Sequence, residues 1–412
     1  MSPRGPSHVT VVGIGADGWS GLTAPARGVL ERAGTVLGSA RQLGLLPALE
    51  HQLRHPWPPG FDVATELDRF AGQDVVVLAS GDPFRSGIAT SLVRLLGPDR
   101  VDVLPHLSSV TLARARLRWS AEETTVVTVV GRRHELLLRH LAPGHRVLVL
   151  SSDAHTPATV AQLLAEHGYG ASRLTVLGDL GTDHESRIED TAARWVHDVP
   201  ALNVVGVELS GPVVGSWTAG LPDDAFEHDG QLTKRDLRAS ALARLAPQPG
   251  QLLWDVGAGA GSVAIEWMRA HPTCVAVAFE RDPGRVERIR RNAAHLGVPG
   301  LEVVAGEAPA TLGDRPAPDA VFVGGGATTP GLLDVCADRL TAGGRLVAHA
   351  VTLETESVLT AARAALGGEL TRLAVEQATQ IGTFTGWTPA RAVVQWSWSK
   401  PLVPAESPGE LP

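Results

Sequence analysis

The chain has 412 residues, room for two or three domains at roughly 150 residues each. Hydrophobic residues make up 44% and charged residues 19%, a globular balance with no apolar run near the ~18 residues of a membrane span. A net charge of -8 argues against nucleic acid or an anionic membrane as partner, and two cysteines, Cys274 and Cys336, exclude a disulfide scaffold and a cysteine-only metal site. The opening residues lack the apolar stretch of a signal peptide, so a reducing cytoplasm is the expected compartment. Lysine occurs only at Lys234 and Lys400, against 34 arginines, so Lys234 merits a reason of its own.

In the first half, β-branched runs alternate with helical stretches, the pattern of βαβ units. Strands are expected at Val9–Val12, Val75–Ala79, Val101–Leu104, Thr125–Val130, Val147–Leu150, Leu174–Leu177 and Val204–Glu208. Gly13, Gly15 and Gly18 fit the spacing of a dinucleotide loop. However, Trp-Ser-Gly-Leu intervenes before a helix whose start is expected at Thr23 and Pro25. The next strand-like stretch, Thr35–Leu37, offers no acid for a ribose. A nucleotide-binding oxidoreductase is therefore disfavoured. His51 and His55 have the helical spacing of metal ligands but no third ligand, and no metal is expected. Ser210 to Gly230, rich in Gly, Pro and Asp, reads as a linker or entry loop.

The second half alternates again, with strands expected at Leu252–Val256, Val275–Phe279, Leu301–Val304, Ala320–Val323, Leu346–Val351 and Val393–Ser397. The first runs into Gly257-x-Gly259-x-Gly261, where glycines permit close backbone approach before a helix. Position 262 is serine, not the third glycine of a pyrophosphate loop, and Asp255 precedes the glycines. That combination suits a ligand with an amino group and no phosphate. Glu280, at the end of the next strand, is placed to accept both hydroxyls of a ribose, and adenine would lie at Ala305–Ala308. Together these features read as a class I S-adenosylmethionine-dependent methyltransferase. Trp387, Trp396 and Trp398 are expected in the core, with lining of a ligand site as the other reading of Trp387.

Several motifs carry a resemblance. His228-Asp-Gly-Gln-Leu-Thr-Lys-Arg-Asp-Leu-Arg238, Trp254 to Glu266, Phe322-Val-Gly-Gly-Gly326 and Ala350-Val-Thr-Leu-Glu354 resemble the C-terminal half of the decarboxylating precorrin-6Y C5,15-methyltransferase family of cobalamin biosynthesis. In the first half, Val11–Gly18, Ala79-Ser-Gly-Asp-Pro-Phe84, Pro105-His-Leu-Ser-Ser109, Gly178-Asp-Leu-Gly-Thr182 and Leu202–Leu209 resemble the tetrapyrrole methylases. Both halves, in this order, match the fused family from about His8 to Lys400.

The resemblance implies an α/β fold class: a tetrapyrrole methylase domain of two α/β subdomains over 8–210, a linker over 211–225, a class I Rossmann-like domain over 226–400, and a disordered tail over 401–412. It implies S-adenosylmethionine at two sites per chain. The contacts would be Gly13, Gly15, Gly81, Asp82, Pro83, Ser108 and Ser109 in the first half. In the second they would be Thr233, Gly257, Gly259, Gly261, Glu280 and Ala308, with Asp255 added from its place before the glycines. The implied activity is methylation at C5 by the first half, and methylation at C15 with loss of the C12 acetate carboxyl by the second. A polycarboxylate macrocycle calls for basic groups, and the candidates are Arg132, Arg133, His106 and Arg238, with Lys234 and His349 at the reacting end. His349 stands where the family usually has asparagine, and Ala89 where it often has glycine. A homo-oligomer is expected. The alternative is a methyltransferase acting on RNA or another small molecule, and the absence of a basic stripe disfavours RNA.

Overall fold

The computed structural model describes residues 5–213 and 217–402. The chain folds as two compact units: Met1–His134 with Ala142–Val213, and Glu135–Leu141 with Val214–Pro412. The expected disorder of the tail concerns residues 403–412, which lie outside the described ones, as do residues 214–216 of the expected linker.

The first unit holds β1 (His8–Ile14), β2 (Thr35–Gly38), β3 (Leu53–Pro56), β4 (Asp74–Ser80) and β5 (Val101–Leu104) in one sheet of order β3-β2-β4-β1-β5. All four pairings are parallel. Central strands of such sheets are covered on both faces, which is why β1 and β4 are runs of Val, Leu and Ile rather than alternations. The helix Ala24–Arg32 begins as expected, with Thr23 as N-cap and Pro25 in its first turn. A single turn, Gly18–Gly21, fills the interval before it. A second sheet holds β6 (Thr124–Thr128), β7 (Arg146–Leu150), β8 (Arg173–Gly178), β9 (Ser186–Thr191) and β10 (Asn203–Glu208), ordered β6-β7-β10-β8-β9 and mostly antiparallel.

The second unit is built on a seven-stranded sheet. Its strands are β11 (Leu252–Val256), β12 (Val275–Glu280), β13 (Glu302–Ala305), β14 (Ala320–Val323), β15 (Arg345–Ala350), β16 (Glu369–Leu373) and β19 (Val393–Ser399). The order is β13-β12-β11-β14-β15-β19-β16, parallel except where β19 runs between β15 and β16. Side-chain alternation sends Leu253, Ala278 and Phe322 to one apolar layer and Trp254, Phe279 and Val321 to the other, each under its own helices. A separate hairpin, β17 (Glu376–Ile381) with β18 (Phe384–Pro389), stands in solvent.

Three expectations change. His55 lies in β3 and pairs with Glu66, while His51 bonds the Glu31 carbonyl, so the two are not on one helix. Trp396 is fully buried, but Trp387 on the hairpin is 70% exposed. The end of the expected linker is packed structure, since Leu221 and Phe226 belong to the second unit's core. No helix among the described residues is long and apolar enough to cross a membrane.

Candidate functional sites

In the first unit, β4, β1 and β5 are neighbours, so the loops after them meet at one sheet edge. Gly81 N–H donates to the Ile14 carbonyl at 3.0 Å, and His106 N–H to the Gly81 carbonyl at 3.2 Å. The glycines are there because the backbones touch. A Cβ on Gly13 would collide with the Gly81 carbonyl, and one on Gly81, whose φ is +56°, would lie 2.8 Å from Ser108 Cα. Asp82 Oδ1 accepts from Phe84 N–H and shapes the turn around buried Pro83. Ser108 caps the helix Ser109–Leu117 through Thr111 N–H, and Ser109 is exposed at the start of that helix. The structure thus brings together Gly13, Gly15, Gly81, Asp82, Pro83, Ser108 and Ser109 around three interlocked strand tips. Ala89 is fully buried core, not a backbone-approach position; Gly87 is the close one, packed on the Pro83 carbonyl.

His106 is turned onto the loop after β1, with Nε2 3.6 Å from Asp17 Oδ2. Its ring packs against the Gly13–Gly15 loop, and Nε2 bonds the Gly21 carbonyl at 2.9 Å, so it holds the loop in place. Beside it Asp17, within the Val11–Gly18 motif, has a buried Oδ1 without a hydrogen-bond partner. Arg132 and Arg133 are exposed on the turn after β6, in the other sheet.

In the second unit a cleft of about 1200 Å3 opens over the strand tips. Gly257 and Ala258 donate their N–H groups to the Phe279 carbonyl at 3.0 and 3.1 Å, and Gly257 and Gly259 have φ of +69° and +60°. Glu280 lines the cleft and accepts from Gly259 N–H at 2.8 Å and Asp282 N–H at 3.0 Å. A carboxylate has about four acceptor sites, so two remain for a ribose diol. Thr233, Lys234, Ala308 and His349 line the same cleft, and so does Arg391, a cation between β18 and β19 that lies in none of the motifs read from the sequence. Lys234 is half-exposed at the start of the helix Arg235–Leu245, its Nζ 3.6 Å from Asp223.

Three expected contacts face elsewhere. Gly261 does not line the cleft; a Cβ there would lie 2.8 Å from Ile289, so its role is helix packing. Asp255 is buried beneath the loop, where Oδ2 accepts from Ala264 N–H at 3.0 Å in the first turn of the helix Ser262–Ala270. Burial lifts its carboxyl to about 7, and the nearby Glu280 charge adds to the rise against the opposing Ala264 bond. Arg238 has zero exposure. Its guanidinium bonds Glu266 at 2.5 Å, Asp223, and the Thr233 and Leu221 carbonyls inside the fold, and it does not line the cleft. Glu266 in turn accepts from Gly220 and Leu221 N–H, which pins the entry segment.

A glycine loop feeding a helix, an acid ending the next strand and a wide cleft above them define a methyltransferase that takes S-adenosylmethionine as methyl donor. The family model of the precorrin methyltransferase domain matches residues 224–400, and that of the tetrapyrrole (corrin/porphyrin) methylases matches residues 8–195. The chain is 46% identical to precorrin-6Y C(5,15)-methyltransferase (decarboxylating) of Sinorhizobium sp, over 95% of this chain and 96% of that protein. It is also 46% identical to the protein of that name from Mycobacterium tuberculosis strain ATCC 25618 / H37Rv, over 95% of this chain and all of the other. The crystal structure of the C-terminal domain of the Rhodobacter capsulatus precorrin-6Y C5,15-methyltransferase is 44% identical, covers 45% of this chain and 100% of its own, and gives a TM-score of 0.43. The chain belongs to the precorrin-6Y C(5,15)-methyltransferase (decarboxylating) family.

Proposed function

We propose that the chain methylates precorrin-6Y at C5 and C15 and removes the carboxyl of the C12 acetate to give precorrin-8X, with one S-adenosylmethionine site in each unit. The first unit, over 8–210, takes C5; the second, over 226–400, takes C15 and the decarboxylation. The observation that carries this reading is the pair of separate glycine-built cradles, one at the β1, β4 and β5 tips and one over β11 and β12. When bound, S-adenosylmethionine supplies an electrophilic methyl on a sulfonium.

The macrocycle supplies the nucleophile, an enamine-like meso carbon. A carbon–carbon bond forms as the carbon–sulfur bond breaks, leaving S-adenosylhomocysteine. The protein need only align the partners, and proximity and orientation supply much of the rate. In the second unit, Glu280 takes the ribose hydroxyls and the Gly257–Gly259 backbone admits the cofactor closely. Lys234 and Arg391 on the cleft wall meet peripheral carboxylates. For decarboxylation the bond between the acetate methylene and its carboxyl breaks, the electrons enter the conjugated ring, and a proton then completes a methyl group.

Reaction of precorrin-6Y with labelled S-adenosylmethionine, read by product mass, tests the reading: two methyl gains and one loss of carbon dioxide. Titration calorimetry tests the stoichiometry, because Gly259→Arg should remove one of two sites. A single site in the parent overturns the two-site reading. The two free cysteines, both buried, are in keeping with the cytoplasm as the place of work. The homo-oligomer is tested by light scattering.

A further inference from the structure

Where a cofactor occupies the β11 and β12 side of the cleft, the wall over β14 and β15 is left to the substrate. His349, at the end of β15, lines that wall and is otherwise buried. Its ring stands edge-on to Phe322, centroids 5.0 Å apart at 85°. Its cross-strand partner on β19 is Gln395, which is fully buried, and the two side chains meet at 2.9 Å through His349 Nε2. The proton on that imidazole can be assigned from what lies behind it.

Gln395 can present either its carbonyl oxygen or its amide nitrogen to the histidine. The shape of the amide is the same either way, and the partners decide between them. On the far side of the Gln395 amide lie Arg244 Nε at 3.1 Å and Nη1 at 3.3 Å. A guanidinium only donates. The amide oxygen therefore faces Arg244, and the amide nitrogen donates to His349 Nε2. Ser240 fits the same order: its Oγ accepts from Arg244 Nη1 at 3.1 Å and lies 3.3 Å from the same end of the Gln395 amide, to which it can donate. In this direction the Arg244 N–H groups meet an acceptor and His349 Nε2 meets a donor, whereas in the other the Arg244 N–H groups would face the amide's own N–H groups. Nε2 is then an acceptor, the ring is neutral, and its single proton is on Nδ1. Burial, which depresses the His349 pKa, acts in the same sense.

We propose that Arg244 and Gln395 are positioning residues that fix His349 as the neutral Nδ1–H imidazole, so that the substrate side of the cleft presents one uncharged N–H donor to a carboxylate oxygen of the bound macrocycle. Neutrality has a chemical use. A cation at this place would stabilise a carboxylate that is to be lost as carbon dioxide, whereas a neutral donor orients it at less cost to the bond-breaking step. The assignment of the substrate rests on the proposed function; the assignment of the proton does not.

The test has two arms. The first is nuclear magnetic resonance of protein carrying isotope-labelled histidine nitrogens, where the signals that vanish in His349→Asn belong to His349. They should show Nδ1 protonated and Nε2 unprotonated at neutral pH. In Gln395→Glu, whose carboxylate can only accept, Nε2 should become protonated. A protonated Nε2 in the parent protein overturns the proposal, whatever the enzyme does with any substrate. In the activity arm, His349→Leu should lower kcat/KM for precorrin-6Y decarboxylation at least about tenfold, the value of one hydrogen bond to a charged group, without changing S-adenosylmethionine affinity. His349→Asn, whose amide nitrogen can occupy the Nδ1 position, should recover most of that loss. Arg244→Met, which frees the Gln395 amide to turn, should fall between them. Parental decarboxylation by His349→Leu overturns the substrate contact. Failure of the parent itself to use precorrin-6Y overturns the proposed function and leaves the proton assignment to the first arm.

Discussion

Glu280 Oε2 accepts from Gly259 N–H at 2.8 Å, so the acid that ends β12 and the loop that follows β11 are one piece. Its other oxygen accepts from Asp282 N–H. In Glu280→Gln the side-chain nitrogen would confront one of these two donors, and the charge that should receive the ribose hydroxyls is gone. Cofactor affinity at the second-unit site should fall about tenfold or more in calorimetry, while the first-unit isotherm is unchanged. Equal affinity in both proteins would mean that Glu280 only builds the loop.

Arg238 and Glu266 form a buried ion pair tied to two backbone segments, Gly220–Leu221 and Thr233. Arg238→Met leaves Glu266 charged and uncompensated. The expected loss is about 3–5 kcal/mol of stability, seen as a drop of order 10 °C in the unfolding midpoint of the second unit. Adding Glu266→Gln should restore part of it. A variant that kept its stability but lost substrate affinity would return Arg238 to the substrate-binding set.

The pH dependence of Asp255 has a definite sign. Its folded carboxyl titrates at about 7 and its unfolded one at the ordinary 3.8. Between these values the folded chain holds a proton that the unfolded chain has released. The contribution to stability is full below 3.8, falls as pH rises, and is lost above about 7. Asp255→Asn has no such proton. Between about pH 5 and pH 7 the parent should lose stability relative to the variant in thermal melts. Parallel curves would mean that Asp255 is ionised throughout.

Lys234 is half-exposed on the cleft wall, with Asp223 3.6 Å away and Thr233 beside it. Lys234→Met should raise the KM for the macrocycle and leave S-adenosylmethionine binding nearly intact. Lys234→Arg should rescue poorly, since a planar guanidinium needs more room than an ammonium. Parental turnover with full carbon dioxide release in Lys234→Met would reduce this lysine to a solvent-facing helix start.

The core strands were legible because parallel strands covered on both faces must be apolar throughout, and Val75–Ala79 or Leu252–Val256 can be little else. Strands without a buried face left no such mark. Glu376–Ile381 reads Glu-Gln-Ala-Thr-Gln-Ile and is exposed along its whole length. Leu53–Pro56 is an edge strand with two half-buried positions, and there His55 pairs with Glu66 instead of sharing a helix with His51.

Site residues divide in the same way. Spacing places a residue near a strand tip but does not say whether its side chain faces up into the cleft or down under the loop. Glu280 and Asp255 are both acids at or near a strand's C-terminal end, yet only the first lines the cleft. For Arg238 a clue was present. It shares a helix face with Ala241, Leu242 and Leu245, the spacing of a buried stripe, and Glu266 is the lone acid between Ile265 and Trp267 in another apolar stretch. An arginine and a glutamate that both fall on core faces are more readily each other's partners than a ligand's.

The contact between Gly257 and Gly325 limits what genetic repair can do. A methyl group on Gly257 would come within 2.8–3.0 Å of Gly325 oxygen, nitrogen and Cα, all main chain. The usual remedy for a side chain grown too large is a neighbour made smaller. Here the neighbour has no side chain to give up. Suppressors of a Gly257 substitution should therefore be absent from residue 325 in any second-site selection, and recovery should come through true reversion or through displacement of a whole loop.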